Sequence, residues 1–269
     1  MKVSYSMLAT WRRCREKFYL SYVRNIPSPP SMGQARGSAG HAALGAYYMS
    51  SSVDPEIAID CAWDTFDTAL PPQTNDSAAQ EEFESLEQAL RRYFVWAESN
   101  DQFQPLETEH HFQVPIGDHV LQGYIDMVVL WNGSTWLMEH KFNKRVYTNH
   151  LGIDPQVSTY LLGGTLAGLE PAGVIYNIVR MGSGPTAVRE PVVRKPLYRN
   201  PEGLNVFAQQ LLMQAEEVGR VLDAPKEANI YRNQTKDCTW DCPYLSACLA
   251  ALDDGNPEPV LQRMVQKGQ

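Results

Sequence analysis

Gly123-Tyr124-Ile125-Asp126-Met127-Val128-Val129-Leu130-Trp131-Asn132-Gly133-Ser134-Thr135-Trp136-Leu137-Met138-Glu139-His140-Lys141 is the stretch on which the fold turns. Two apolar runs rich in β-branched and aromatic residues flank Asn-Gly, the strongest short signal for a two-residue hairpin turn. A turn at Asn132-Gly133 places Trp131 opposite Ser134 and Asp126 opposite Glu139. Opposed Cβ atoms on one sheet face stand about 4.5–5.5 Å apart. Lys141 emerges on the same face as Glu139, and His140 on the other. Two carboxylates that close repel, and a cation between them relieves the repulsion. Carboxylate oxygens suit Mg²⁺ or Mn²⁺. Such an ion activates water and neutralises charge on a scissile phosphate, and a neighbouring ammonium orients the attacking water. The residue types therefore fit a metal-dependent phosphodiesterase site. A surface hairpin with a Glu–Lys pair would need none of this, but the charges here punctuate apolar strands and so need partners.

Working outward, residues 107–116, 120–131 and 135–142 read as strands. Asp154-Pro155 caps and begins a helix that Gly168 closes. Residues 172–181 read as a further strand, and Asn200-Pro201 opens a helix to Leu222. Upstream, Ser6 caps a helix to about Val23, with Trp11, Cys14, Phe18 and Tyr22 at helical spacing on one apolar face. A Pro- and Ser-rich loop follows, then a helix over His41–Tyr48. Two acidic amphipathic helices come next, one through Ile57, Cys61, Phe66 and Leu70, the other through Phe83, Leu86, Leu90, Phe94 and Ala97. Ser77 with Gln80 forms a capping box for the second. Strands interleaved with helices predict an α/β fold. The expected organisation is one domain over residues 1–252, elaborated by the helices of 54–100, with 253–269 as a flexible tail.

The chain has 269 residues, of which 43% are hydrophobic, and a formal net charge of −8. The acidity is concentrated: residues 54–109 hold 14 acids and 2 bases, leaving the remainder net basic. A polyanion partner is thus permitted. No apolar run is long enough to cross a membrane, the start lacks a secretory h-region, and 5 cysteines are too few for a disulfide scaffold. A cytoplasmic protein with no membrane partner is the expectation.

The hairpin residues resemble the core of the PD-(D/E)XK nuclease superfamily, with Asp126 as first acid and Glu139-His140-Lys141 as the E-x-K element. The wider chain is similar to its RecB-like exonuclease branch, which includes the AddB nuclease domain, CRISPR spacer-acquisition nucleases and phage exonucleases. Gly37-Ser38-Ala39-Gly40-His41 matches that branch's G-x-x-x-H helix, and Gln156-Val157-Ser158-Thr159-Tyr160 its Q-x-x-x-Y motif. Cys14 with Cys238-x3-Cys242-x5-Cys248 resembles the set that holds a [4Fe–4S] cluster there, with one residue more in the first gap than relatives carry. Four thiolates also suit structural zinc. The resemblance implies a restriction-endonuclease-like core: a mixed central sheet flanked by helices, and an iron–sulfur staple joining the N- and C-terminal regions. It implies a Mg²⁺- or Mn²⁺-dependent DNA exonuclease of recombination, repair or phage DNA processing. Asp126, Glu139 and Lys141 would be catalytic; His41, Asp126, Glu139 and the His140 carbonyl would ligate metal. Gln156 and Tyr160 would contact DNA with a free end or single strand, and a helicase or recombination protein would be the partner. Arg12, Arg13, Arg145, Arg180, Arg194 and Arg199 offer phosphate contacts. The alternatives are a non-catalytic nucleic-acid-binding or assembly subunit that keeps the fold, and a Cys₄ zinc protein of another role.

Overall fold

A computed structural model describes residues 1–28, 30–49, 54–69, 76–223, 230–253 and 255–267. In chain order its elements are β1 (Lys2–Val3), α1 (Tyr5–Arg13), α2 (Arg15–Phe18), α3 (Met32–Met49), α4 (Pro55–Ala69) and α5 (Asp76–Asn100). There follow β2 (Gln104–Ile116), β3 (His119–Trp131), β4 (Ser134–Asn143), α6 (Pro155–Leu166), β5 (Val174–Arg180), α7 (Pro185–Arg189) and β6 (Val192–Leu197). The chain ends with α8 (Pro201–Leu222), α9 (Cys238–Asp241), α10 (Leu245–Asp253) and α11 (Glu258–Lys267). No helix of the described residues is long and apolar enough to cross a membrane.

The chain divides into two compact units. One comprises Met1–Pro29, Gly117–His119 and Gln209–Gln269; the other comprises Pro30–Ile116 and Val120–Ala208.

The larger unit is built on the sheet. β2 and β4 both pair with β3, and β4, β5 and β6 follow in order. The β3–β4 and β5–β6 pairs are antiparallel and β4–β5 is parallel, so the sheet is mixed. Asn132 (φ 50°) and Gly133 (φ 76°) both adopt the left-handed region, as a type I′ turn requires. That turn sets the register Trp131↔Ser134 through Met127↔Met138. β5 is an interior strand, and Val174 to Val179 are all buried, the mark of a strand covered on both faces. β6 and α7 had no separate sequence signal.

Helices cover the sheet. Gly40 of α3 sits against the Phe142 ring, which a Cβ there would meet at 2.4 Å; only glycine lets α3 approach β4 so closely. The acidic elaboration is helical as expected, but α4 buries Ala58, Ile59, Ala62 and Phe66 rather than Ile57, which is 56% exposed. α5 buries Phe83, Leu86, Leu90, Phe94 and Ala97 as the period predicted. Its helix begins at Asp76, one residue before the expected cap Ser77. Leu70 lies outside the described residues.

The smaller unit holds both ends of the chain. Ser4, not Ser6, caps α1 by accepting from the Met7 amide at 3.3 Å. The expected continuous helix to Val23 is broken: Cys14 is extended, between α1 and α2, and a π turn spans Tyr19–Val23. Tyr22 is 41% exposed. The stretch expected as a tail carries α11, whose Leu261 is buried with Leu20, Ile26 and Tyr244. An apolar stripe of period 3.6 (Val260, Leu261, Met264, Val265) buried against those residues is what orders it. Residues 254, 268 and 269 lie outside the described chain. Arg24 pairs with Glu258 at 2.7 and 2.9 Å.

Candidate active site

The site lies wholly in the larger unit. Beyond Met127↔Met138, Asp126 accepts from the His140 backbone amide at 2.6 Å. Its carboxylate lies against Glu139, as the register demanded. Glu139 is 2% exposed. One of its oxygens takes the Lys141 ammonium and the Gln156 side-chain amide, the latter at 2.9 Å. The other is buried with no hydrogen-bond partner. Lys141 also donates to Gln156 Oε1 at 3.3 Å, and its ammonium stands 6.0 Å from the centre of the Tyr176 ring.

Asp154 accepts from the Gln156 amide at 2.8 Å and Pro155 takes the first helical position. α6 therefore starts where Gln156 can face Glu139, and Tyr160, one turn on, shares that face, with the Gln156 amide donating to its hydroxyl at 3.0 Å. From α3, His41 Nδ1 comes to 3.4 Å from Asp126 Oδ2. His41, Asp126, Glu139, Lys141, Gln156 and Tyr160 are thus brought together. So is Glu109 of β2, which no sequence motif singled out. Among the described residues, His41, Glu109 and Asp126 are the one group of three potential ligands whose donor atoms all lie within 4.8 Å of one another.

Burial raises the pKa of Asp126, reinforced by Glu109; burial likewise raises Glu139, reinforced by Asp126. For Lys141, burial pulls downward but Glu139 outweighs it, and the ammonium stays charged. Burial lowers His41 and leaves its imidazole neutral, the form that ligates metal.

His140 faces the other way and is buried against a polar chain. Its Nδ1 lies 2.8 Å from the Asn177 amide, whose oxygen accepts from Arg194 Nε at 2.8 Å. Arg194 also donates to the Tyr93 hydroxyl at 3.0 Å and pairs with Asp101 at 2.7 Å. It stacks at 4.6 Å from the Trp96 ring centre. Arg194 is therefore committed to holding β4 from behind, not free for phosphate as the sequence suggested. Arg199 bonds Ser158 Oγ at 2.9 Å and two backbone carbonyls at 3.2 Å, and Arg180 bonds Glu190.

The comparisons bear on this geometry. The model of the PD-(D/E)XK nuclease superfamily matches residues 2–249. The chain belongs to that superfamily. Its central mixed sheet with helical flanks agrees with a restriction-endonuclease-like fold, and the superfamily implies a nuclease acting on DNA. No curated protein matches the chain. Among solved structures it is similar to SSO0001, with 12% identity over 90% of this chain and 83% of that one at a TM-score of 0.37. It is also similar to protein VC1899 from Vibrio cholerae, with 10% identity over 79% and 57% at a TM-score of 0.25. At those scores neither likeness adds to the family match.

The smaller unit of this superfamily member contains four of the five cysteines, all but Cys61. Cys14, Cys238, Cys242 and Cys248 line one cavity of about 170 Å³. Asn233 and Thr235 direct backbone amides at the sulfurs of Cys14 and Cys238, each at 3.5 Å. Burial raises the thiols of Cys242 and Cys248, and the neighbouring sulfurs push them further.

Proposed function

We propose that this chain is a Mg²⁺- or Mn²⁺-dependent deoxyribonuclease, an exonuclease working on a free or single-stranded end in recombination, repair or phage DNA processing, alongside a helicase or recombination protein. One observation carries the metal: Glu139, on an apolar strand, keeps a buried oxygen without a partner while lying against a second carboxylate. Unpaired buried carboxylate oxygen is costly, and a hard divalent cation is the partner that fits two oxygens and an imidazole.

His41, Asp126, Glu139 and the His140 carbonyl would hold the ion, which when bound polarises the phosphate and acidifies water. The residues themselves do the positioning. Lys141, fixed by Glu139 and Gln156, presents a charged ammonium that orients the attacking water and offsets charge developing on the phosphate. Gln156 locks the Glu139 rotamer from α6 and, with Tyr160, presents a polar face to the strand being cut. The His140–Asn177–Arg194 chain holds β4 in register beneath them. A binding-only subunit has no use for a buried acid–acid–lysine set, so catalysis is the better reading.

The cysteine cavity supports a [4Fe–4S] cluster over zinc. Tetrahedral zinc with bonds of about 2.3 Å draws its sulfurs to about 3.8 Å apart, whereas these four cysteines line a cavity of about 170 Å³. A cluster whose own iron and sulfide fill the centre holds its thiolates farther apart. Its role there would be structural, tying Cys14 to the C-terminal cysteines.

The test is cleavage of labelled 5′- and 3′-tailed duplexes with Mg²⁺ or Mn²⁺. Activity should need the metal and a DNA end, and Lys141→Ala should lower it by about 10²–10³-fold. Equal cleavage by Glu139→Ala would overturn the assignment. Zinc in place of iron in anaerobically purified protein would overturn the cluster.

A further inference from the structure

Glu109 is the metal-capable side chain at this site that no motif assigns. It comes from β2, an element separate from the hairpin and from α3, yet its carboxylate, a His41 ring nitrogen and an Asp126 oxygen all stand within 4.8 Å of one another. The backbone there is unusual. Glu109 has φ 52° within a strand, a left-handed conformation that side chains with a Cβ rarely adopt. Strain of that kind persists where the surroundings hold it, and functional sites are where it gathers.

An acid near other acids is not by itself a site. The independent observation is Glu139: 2% exposed, in the same electrostatic cluster, with an oxygen that no donor reaches. Three carboxyl groups and one imidazole converge beside Lys141, whose ammonium is already engaged by Glu139 and Gln156. A divalent cation there would take one donor from each of three separate elements, α3, β2 and β3.

We propose that Glu109 is a direct ligand of the divalent cation at this site, supplied by β2 in addition to the hairpin acids. The proposal rests on the metal-centre reading above. It gives β2 a chemical role beyond pairing with β3: its left-handed residue brings a carboxylate to the site. Glu109 remains accessible, whereas Glu139 is sealed.

Mn²⁺ binding by the full chain without DNA tests this, followed by the electron paramagnetic resonance of free Mn²⁺, with circular dichroism to verify folding. Glu109→Gln keeps the shape and removes the charge; it should weaken Mn²⁺ binding by at least about tenfold, since even supporting residues around a metal cost that much. Glu109→Gly relieves the left-handed backbone, so it should melt higher than the parent yet weaken Mn²⁺ to the same degree. Unchanged Mn²⁺ affinity in both variants, with Glu139→Ala losing it, would overturn the role of Glu109 while leaving the metal centre standing. A parent protein that binds no Mn²⁺ at all would instead sink the metal centre, and this ligand with it.

Discussion

The carboxylate site and the cysteine cavity are assembled in opposite ways. Asp126 and Glu139 are neighbours across one tight hairpin, and each is held by bonds that exist without metal: Asp126 by the His140 amide, Glu139 by Lys141 and Gln156. These four cysteines come from the two ends of the chain, and the sulfurs of Cys14 and Cys238 receive long contacts from the Asn233 and Thr235 amides at 3.5 Å and the Thr235 hydroxyl at 4.0 Å. Around them the ends are joined by a small apolar cluster of Leu20, Ile26, Tyr244, Ala247 and Leu261. A prebuilt site can exchange its ion without unfolding. A site whose ligands are far apart in sequence and thinly supported draws its order from what it binds, so binding there is folding energy. On the function proposed above, the carboxylate site would serve chemistry and the thiolate site structure.

The largest effect expected from breaking that contrast is at the cavity. Cys248→Ser should abolish iron binding and unfold the smaller unit at temperatures the parent survives, while Mn²⁺ binding at Glu139 persists. Differential scanning calorimetry alongside Mn²⁺ titration would show it, and simultaneous loss of both would erase the division. Next comes the support behind β4. Asn177→Ala strands the buried nitrogens of His140 and Arg194, costing roughly 1–3 kcal/mol, with a fall in turnover from the loosened Lys141; urea denaturation and initial rates measure the two together. At the chain ends, Tyr244→Phe removes the hydroxyl that donates to the Ile26 carbonyl at 2.9 Å. It should cost about 1 kcal/mol and leave nuclease activity alone.

The smallest effect is a pH slope. Asp126 and Glu139 both have folded-state pKa values raised by burial. The folded chain then binds more protons than the unfolded one between the ordinary carboxylate range and neutrality, so stability falls as pH rises through that window. In chelator, the melting temperature should decline across it, Asp126→Asn should flatten the decline, and saturating Mn²⁺ should remove it by replacing the protons. A slope unaltered by Asp126→Asn would show that the pair does not hold the shared charge described here.

Local chemistry in the sequence carried the hairpin. Asn132-Gly133 admits the two positive φ values of a type I′ turn, and a period of two then forces Asp126 and Glu139 to one face, with His140 opposite. Asp154-Pro155 fixed the start of α6 in the same way, and with it the shared face of Gln156 and Tyr160. What the sequence could not carry was anything set by contacts between distant segments. Glu109 reaches His41 through the path of β2 past α3. Arg194 looked like a phosphate contact until β6 placed it beneath Asn177. Cys14 looked like one face of an unbroken helix until the chain opened there to aim its sulfur at the cavity. The C-terminal stretch looked loose until its apolar stripe found Leu20 and Tyr244. Turns and caps are decided by a few adjacent dihedrals and hydrogen bonds, whereas these placements depend on which surfaces the whole chain must bury together, a choice that only the folded structure makes.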